Sequence, residues 1–199
     1  MLDTLFPLAC PGCGARCGRT GAPICAGCGS AVGAAPVMPP PEGVDQWFAP
    51  FAYEGALREV VARVKYRNVR AAVPWLAAAM IGELPVSSHA LSVGADVVTW
   101  APSTAEHRRA RGFDAAELLA RRVARGLRLP AARLLTRRPG PPQTGRSGAA
   151  RRHGPRFEAR RVAPARVLLV DDVATTGATL VAAAIALRAA GALQVFAPP

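Results

Sequence analysis

Val167-Leu168-Leu169-Val170-Asp171-Asp172-Val173-Ala174-Thr175-Thr176-Gly177-Ala178-Thr179-Leu180 is the stretch on which the reading of this chain turns. Four consecutive apolar residues predict a strand buried on both faces, as in a parallel sheet. Two adjacent carboxylates follow where that strand should end. A short Thr/Gly loop comes next, and then Leu180, Ala183, Ala184 and Leu187 recur at helical spacing as far as Gly191, a C-terminal capping residue. Strand, acidic pair, small-residue loop and helix make the layout of a ligand site at the carboxyl edge of an α/β sheet.

The residue types suggest what such a site holds. Gly177 permits loop dihedrals that other residues resist. Small neighbours, Ala174 and Ala178, let backbone N–H groups approach a phosphate, and the helix N-terminus adds partial positive charge. The hydroxyls of Thr175, Thr176 and Thr179 are further donors. Asp171 and Asp172 would repel a phosphate beside them, but carboxylates accept hydrogen bonds from vicinal sugar hydroxyls. A 5-phosphosugar satisfies both halves. The run resembles the phosphoribosyl-pyrophosphate (PRPP) signature of type I phosphoribosyltransferases.

Outward from this stretch, composition bounds the rest. The 199 residues are 51% hydrophobic, enough for one core and a small appendage. No apolar run approaches a membrane span, and Met1-Leu2-Asp3 lacks a basic signal-peptide start, so a cytoplasmic protein without membrane insertion is expected. The formal net charge is +12, and Lys65 is the only lysine. Residues 107–128 carry seven Arg against two acids, and residues 133–161 carry nine against one. Charge so localised suits a polyanion, pyrophosphate at the site or nucleic acid on the surface.

All five cysteines precede residue 30. Cys10-Pro-Gly-Cys13 and Cys25-Ala-Gly-Cys28 are two C-x-x-C knuckles separated by eleven residues, each followed by Gly. Paired knuckles predict a tetrahedral, structural Zn²⁺ site on Cys10, Cys13, Cys25 and Cys28. A redox role would need one such pair, and a closed four-sulfur site leaves no position for chemistry. Cys17 is the odd cysteine. The knuckle should depend on its metal to fold, and residues 31–44, rich in Pro, Gly and Ala, read as a linker. The expected division is therefore 1–44, knuckle and linker, and 45–199, the α/β domain.

Within that domain, Gln46 to Tyr53 reads as an edge strand or hairpin. Leu57, Val60, Val61 and Val64 form one helical face, in a helix ending at Lys65-Tyr66-Arg67-Asn68. Lys65 is a secondary candidate for the site, against a plain solvated helix end. A second helix follows Pro74. Asp96 to Ala101 is a buried strand, and the loop after it carries His107, Arg108, Arg109 and Arg111. Asp114 then reads as an N-cap with Glu117 as its capping-box partner. If the two buried strands lie parallel in one sheet, this basic loop opens on the same edge as the acids. Leu134-Leu135-Thr136 is a short strand. Arg137 to Arg161 has no periodicity and reads as a basic lid over bound diphosphate, or as an unstructured insertion.

The order of these motifs, two C-x-x-C pairs, Lys65-Tyr66, Arg111-Gly112-Phe113-Asp114, Gln143-Thr144-Gly145 with Arg151, then Asp171 to Thr179, resembles the ComF family of bacterial phosphoribosyltransferase-like proteins, associated in some bacteria with DNA uptake in natural competence. The resemblance implies a type I phosphoribosyltransferase fold, a mostly parallel sheet flanked by helices, with a small N-terminal zinc knuckle of four cysteines. It implies PRPP bound with Mg²⁺, its phosphate held by Ala174 to Thr179, and its diphosphate held by Arg108, Arg109, Arg111 and Arg151. Asp171 and Asp172 would be the catalytic pair, beside the developing cation at the sugar. Single-stranded DNA or DNA-processing proteins are the implied macromolecular partners, and a PRPP sensor or DNA-binding protein on the same fold is the alternative to an enzyme. The chain departs from the family at Asp114-Ala115-Ala116, where Asn and Gln are usual, and at Arg152-His153-Gly154-Pro155. In hypoxanthine/guanine-type transferases an Asp serving the purine stands three residues after the second acid. Thr175 occupies that place here, which disfavours purine salvage.

Overall fold

A computed structural model describes residues 9–17, 24–84, 94–139 and 154–198. Strand β1 (Gln46–Trp47), β2 (Val97–Trp100), β5 (Arg166–Val170) and β6 (Gln194–Ala197) form a parallel sheet in the order β1-β6-β5-β2. Six helices accompany it among the described residues: α1 (Ala26–Ser30), α2 (Gly55–Arg67), α3 (Val73–Gly82), α4 (Ala105–Arg111), α5 (Ala115–Leu127) and α6 (Ala178–Ala189). A separate antiparallel ribbon pairs β3 (Leu135–Arg138) with β4 (Arg156–Ala159).

Both sheet faces are covered, as the uninterrupted apolar strand requires. Side chains alternate across the pleat. Leu168 and Val170 join Val98, Trp100 and Phe196 in a cluster with α2, α3 and α5. Val167 and Leu169 join Val97 and Val195 in a second cluster with Leu180, Ala183, Ala184 and Leu187 of α6 and with Leu135 and Phe157 of the ribbon. Burying a Leu or Val side chain contributes roughly 1.5–3 kcal/mol, so this two-sided cover is the main source of stability. The small Ala residues of α6 let that helix approach the sheet closely. No described helix is long and apolar enough to cross a membrane.

Several local expectations need correction. The basic segment after β2 is not a loop but α4, capped by Thr104, whose hydroxyl accepts from the His107 N–H at 3.1 Å. The helix buries none of its residues, so it leaves no apolar period to read. Asp114 is the N-cap of α5 but forms no capping box. Its carboxylate accepts from the Ser103 N–H and Oγ at 2.9 and 3.1 Å, and Glu117 pairs with Arg121 instead. The segment from Arg137 to Arg161 is structured at both ends by β3 and β4. An Arg138–Glu158 ion pair and the Arg137 guanidinium over the Phe157 ring hold that ribbon together. The expected lid centre, residues 140–153, lies outside the described residues. The expected edge strand from Gln46 to Tyr53 shrinks to two residues.

The Pro/Gly/Ala stretch 31–44 is largely exposed but anchored at a few points. Ala34 bridges Phe51, and the Ala52 N–H donates to the Gly33 carbonyl at 3.0 Å. Arg188 Nε donates to the Gly43 carbonyl at 2.9 Å, and Val44 is buried. The cysteine knuckle is continuous with this packing: Cys10 and Ile24 belong to the same apolar cluster as Leu57, Val60 and Val61 of α2.

Candidate functional site

Because the strands run parallel, the ends of β1, β2 and β5 meet at one edge of the sheet. β5 delivers Asp171 and Asp172 there. The two adjacent acids have different environments. Asp171 is buried, and its Oδ1 accepts from the Asp172 N–H at 2.8 Å. Burial, followed by the charge of Asp172, raises its pKa well above the ordinary carboxyl value, against the opposing pull of Lys65 and Arg137. Asp172 forms an ion pair with Lys65 Nζ at 2.9 Å, with side-chain exposures of 13% and 15%. Lys65 sits in the last turn of α2, which Asn68 ends by adopting a left-handed conformation, φ 55°. The lysine read as a secondary candidate is thus joined to the acidic pair.

The loop from Val173 to Gly177 leads into α6. Gly177 is its N-cap at φ +71°, and a Cβ there would lie 3.2 Å from Pro41 Cγ, so both backbone and space demand glycine. Thr175, Thr176 and Ala178 are exposed, and Ala174 and Thr179 are half-buried. The Ala178 N–H faces Thr176 Oγ1 at 3.4 Å. As the N-cap of α6, Gly177 begins the run of N–H groups, through Ala178 and Thr179, that have no partner within the helix.

The basic residues divide. Arg111 reaches back over the Tyr66 ring, 4.7 Å from its centroid, and with Lys65, Asn68 and His107 it lines a cavity of 340 Å³ between α2 and α4. Arg108 instead has Asp114 and Arg133 as electrostatic neighbours. Arg109 is exposed, and Arg151 lies outside the described residues. Asp114, buried beneath Ser103, is pushed up by burial and further by Asp172. It is a third carboxyl at this edge, and the expected capping role concealed it.

A second cavity, of 550 Å³, opens on the other side of Asp172. Asp172, Val173, Ala174 and Thr175 form one wall, Trp47, Phe51, Tyr53 and Glu54 another, and Ala34, Ala35, Pro36 and Met38 contribute a third. Sequence reasoning missed it. The apolar run at 46–53 signalled a strand, and only the pairing of Ala34 with Phe51 turns these rings and the 34–38 segment toward the acids.

The four knuckle cysteines converge. Their Sγ atoms all lie within 4.8 Å of one another. Cys13 and Cys25 Sγ are 3.7 Å apart, close to the edge of about 3.8 Å that a tetrahedron of zinc–sulfur bonds of about 2.3 Å requires. The Gly12 and Cys25 N–H groups point at Cys10 Sγ, at 3.4 and 3.3 Å. Burial works to raise the Cys10 pKa, but the Cys25, Cys13 and Gly12 amides outweigh it and lower it to about 6. Burial and the neighbouring thiols push Cys28 up to about 12. Thiols this close cannot all ionise without a cation, so the cluster fits a closed metal site such as one for zinc. A bound Zn²⁺ would supply folding energy rather than reactivity. Cys17 stands beside the four, its pKa raised by burial and by the charge of Cys10.

What the geometry defines is an α/β protein with a parallel four-stranded sheet, an N-terminal four-cysteine cluster, and a sheet edge where two carboxyl groups precede the N-terminus of α6. No family model matches the chain, and no curated protein matches it.

Proposed function

We propose that the chain is a phosphoribosyltransferase-like protein of the ComF type, with a type I phosphoribosyltransferase fold, that binds PRPP as its magnesium complex and transfers ribose 5-phosphate to an acceptor. The observation that carries this reading is the sequence of groups along β5 and α6. Asp171 and Asp172 stand at the strand end, and three residues later begins a threonine loop that the left-handed Gly177 opens into the N-terminus of α6. The 5-phosphate belongs on Thr175 to Thr179. The ribose hydroxyls belong on the acids, with the 2.9 Å ion pair to Lys65 fixing the Asp172 carboxylate in position. In this reading the diphosphate falls to Lys65 and Arg111, which line the smaller cavity.

In the reaction, the C1′–O bond breaks and its electron pair leaves on the diphosphate. The acceptor's lone pair forms the new bond at C1′, and any acceptor proton passes to water. Charge develops at the sugar, as in glycoside cleavage, and the carboxylates stabilise it by position. Calorimetry with PRPP and Mg²⁺ tests the site. The wild type should bind, and the Asp171→Asn/Asp172→Asn double variant should lose at least tenfold in affinity. Equal binding by both ends the proposal. Pyrophosphate release across a panel of acceptors then separates a transferase from a PRPP sensor.

The arginines favour a second role, binding of single-stranded DNA. Arg108, Arg133 and Arg160 are electrostatic neighbours at the junction of α4 with the ribbon. Oligonucleotide affinity should fall steeply with salt, and a flat dependence removes this role.

A further inference from the structure

We infer that the 550 Å³ cavity takes a flat aromatic group that is uncharged or cationic, and that the acceptor belongs to that class; the second clause rests on the phosphosugar reading above. Three observations carry the inference. The first is shape. Phe51 stacks on Trp75, centroids 5.0 Å apart and planes 10° from parallel, which fixes the orientation of one wall. Trp47 and Tyr53 supply further ring surface, and aromatic rings bury planar groups at little entropic cost.

The second observation is charge. The chain carries 25 Lys and Arg, yet among the described residues no basic side chain lines this cavity. Its charged lining groups are Glu54 and Asp172. Lys65 offsets Asp172 at 2.9 Å, which leaves Glu54 as the uncompensated charge. Glu54 is exposed, so water screens its charge. Its sign still opposes a carboxylate ligand and favours a cation at the rim of the apolar wall. Asp172, only 13% exposed, gives the deeper end the same sign bias where Lys65 does not reach it. The smaller cavity, lined by Lys65, His107 and Arg111, has the opposite character. The two cavities flank the Lys65–Asp172 pair and divide their ligands by sign. The third observation is the mouth. Met38 lines the cavity while 55% exposed, and its neighbour Val37 is fully exposed, an apolar rim that no described residue covers.

Benzamidine, benzamide and benzoate share one flat ring and differ in charge, so they serve as probes. Ligand-observed NMR titrations on the full chain, with and without PRPP and Mg²⁺, should place benzamidine and benzamide at least tenfold tighter than benzoate. Glu54→Gln should narrow the gap between benzamidine and benzamide at least threefold. Ala35→Trp, which fills the cavity from a half-buried position on the 34–38 segment, should abolish binding of all three and leave PRPP affinity within twofold. Benzoate binding as tightly as benzamidine, no binding of any probe, or selectivity unmoved by both substitutions overturns the inference. Titration of PRPP alone keeps the two readings apart. Charge selection without PRPP binding sinks the phosphosugar site and leaves the cavity assignment standing, and PRPP binding without charge selection does the reverse.

Discussion

Asp171 is held at the strand end at a cost to folding. Its carboxyl is buried and its pKa raised, by burial first and by Asp172 second. Between the ordinary carboxyl pKa and this raised value the folded chain binds more protons than the unfolded one. Stability therefore falls as pH rises through that window. Asp171→Asn keeps an oxygen for the Asp172 N–H and removes the titration. Denaturant melts should show the variant about 1 kcal/mol more stable than wild type at pH 7, with the difference shrinking toward about pH 4, the ordinary carboxyl range. At the same scale, Gly177→Ala should lose about 1–2 kcal/mol, because alanine meets both the positive φ and the Pro41 ring. Thermal melts check this, and an unchanged midpoint would mean the loop relaxes freely.

At the scale of elements, the convergence of the four cysteines predicts a unit that depends on a metal ion. With Cys28 protonated and Cys10 already inclined to ionise, metal binding must displace protons. Zinc titrations in buffers of different ionisation enthalpy should reveal proton release, and affinity should fall as pH drops below neutrality. Gly12→Ala should weaken binding by tenfold or more, since a Cβ there would stand 2.7 Å from Cys28 Sγ. The elements themselves differ in how openly the sequence displays them. β2, β5, α2 and α6 bury continuous or periodic apolar faces, and that pattern is visible in one dimension. α4 rests on a threonine cap and buries nothing, so it has no such pattern; β3 shows only its first residues, in Leu134-Leu135, and β4 buries only Phe157.

For the whole molecule, the same distinction separates the two halves of the candidate site. The acids and the threonine loop were legible because consecutive residues carry them. Lys65 joins them only because α2 packs across the sheet, and the aromatic cavity exists only because residues 34 and 51 pair. Neither juxtaposition has any local signature. The pairing of β1 with β6 is equally remote: Asp45 accepts from the Val195 N–H at 2.6 Å and binds Arg188 at 2.7 Å, fixing an edge strand of two residues where composition alone extends it to Tyr53.

The backbone bond from Ala52 to Gly33 has a mechanical meaning. Two residues before Gly33, the chain is still leaving the cysteine cluster's helix, and one residue after it the cavity wall begins. Loosening the cluster therefore slackens that wall, so a chelator should act as a remote antagonist of benzamidine. Thermodynamic reciprocity demands the converse: a guest between the rings must tighten the hold on zinc by the same factor, which equilibrium competition with a chromogenic chelator would measure.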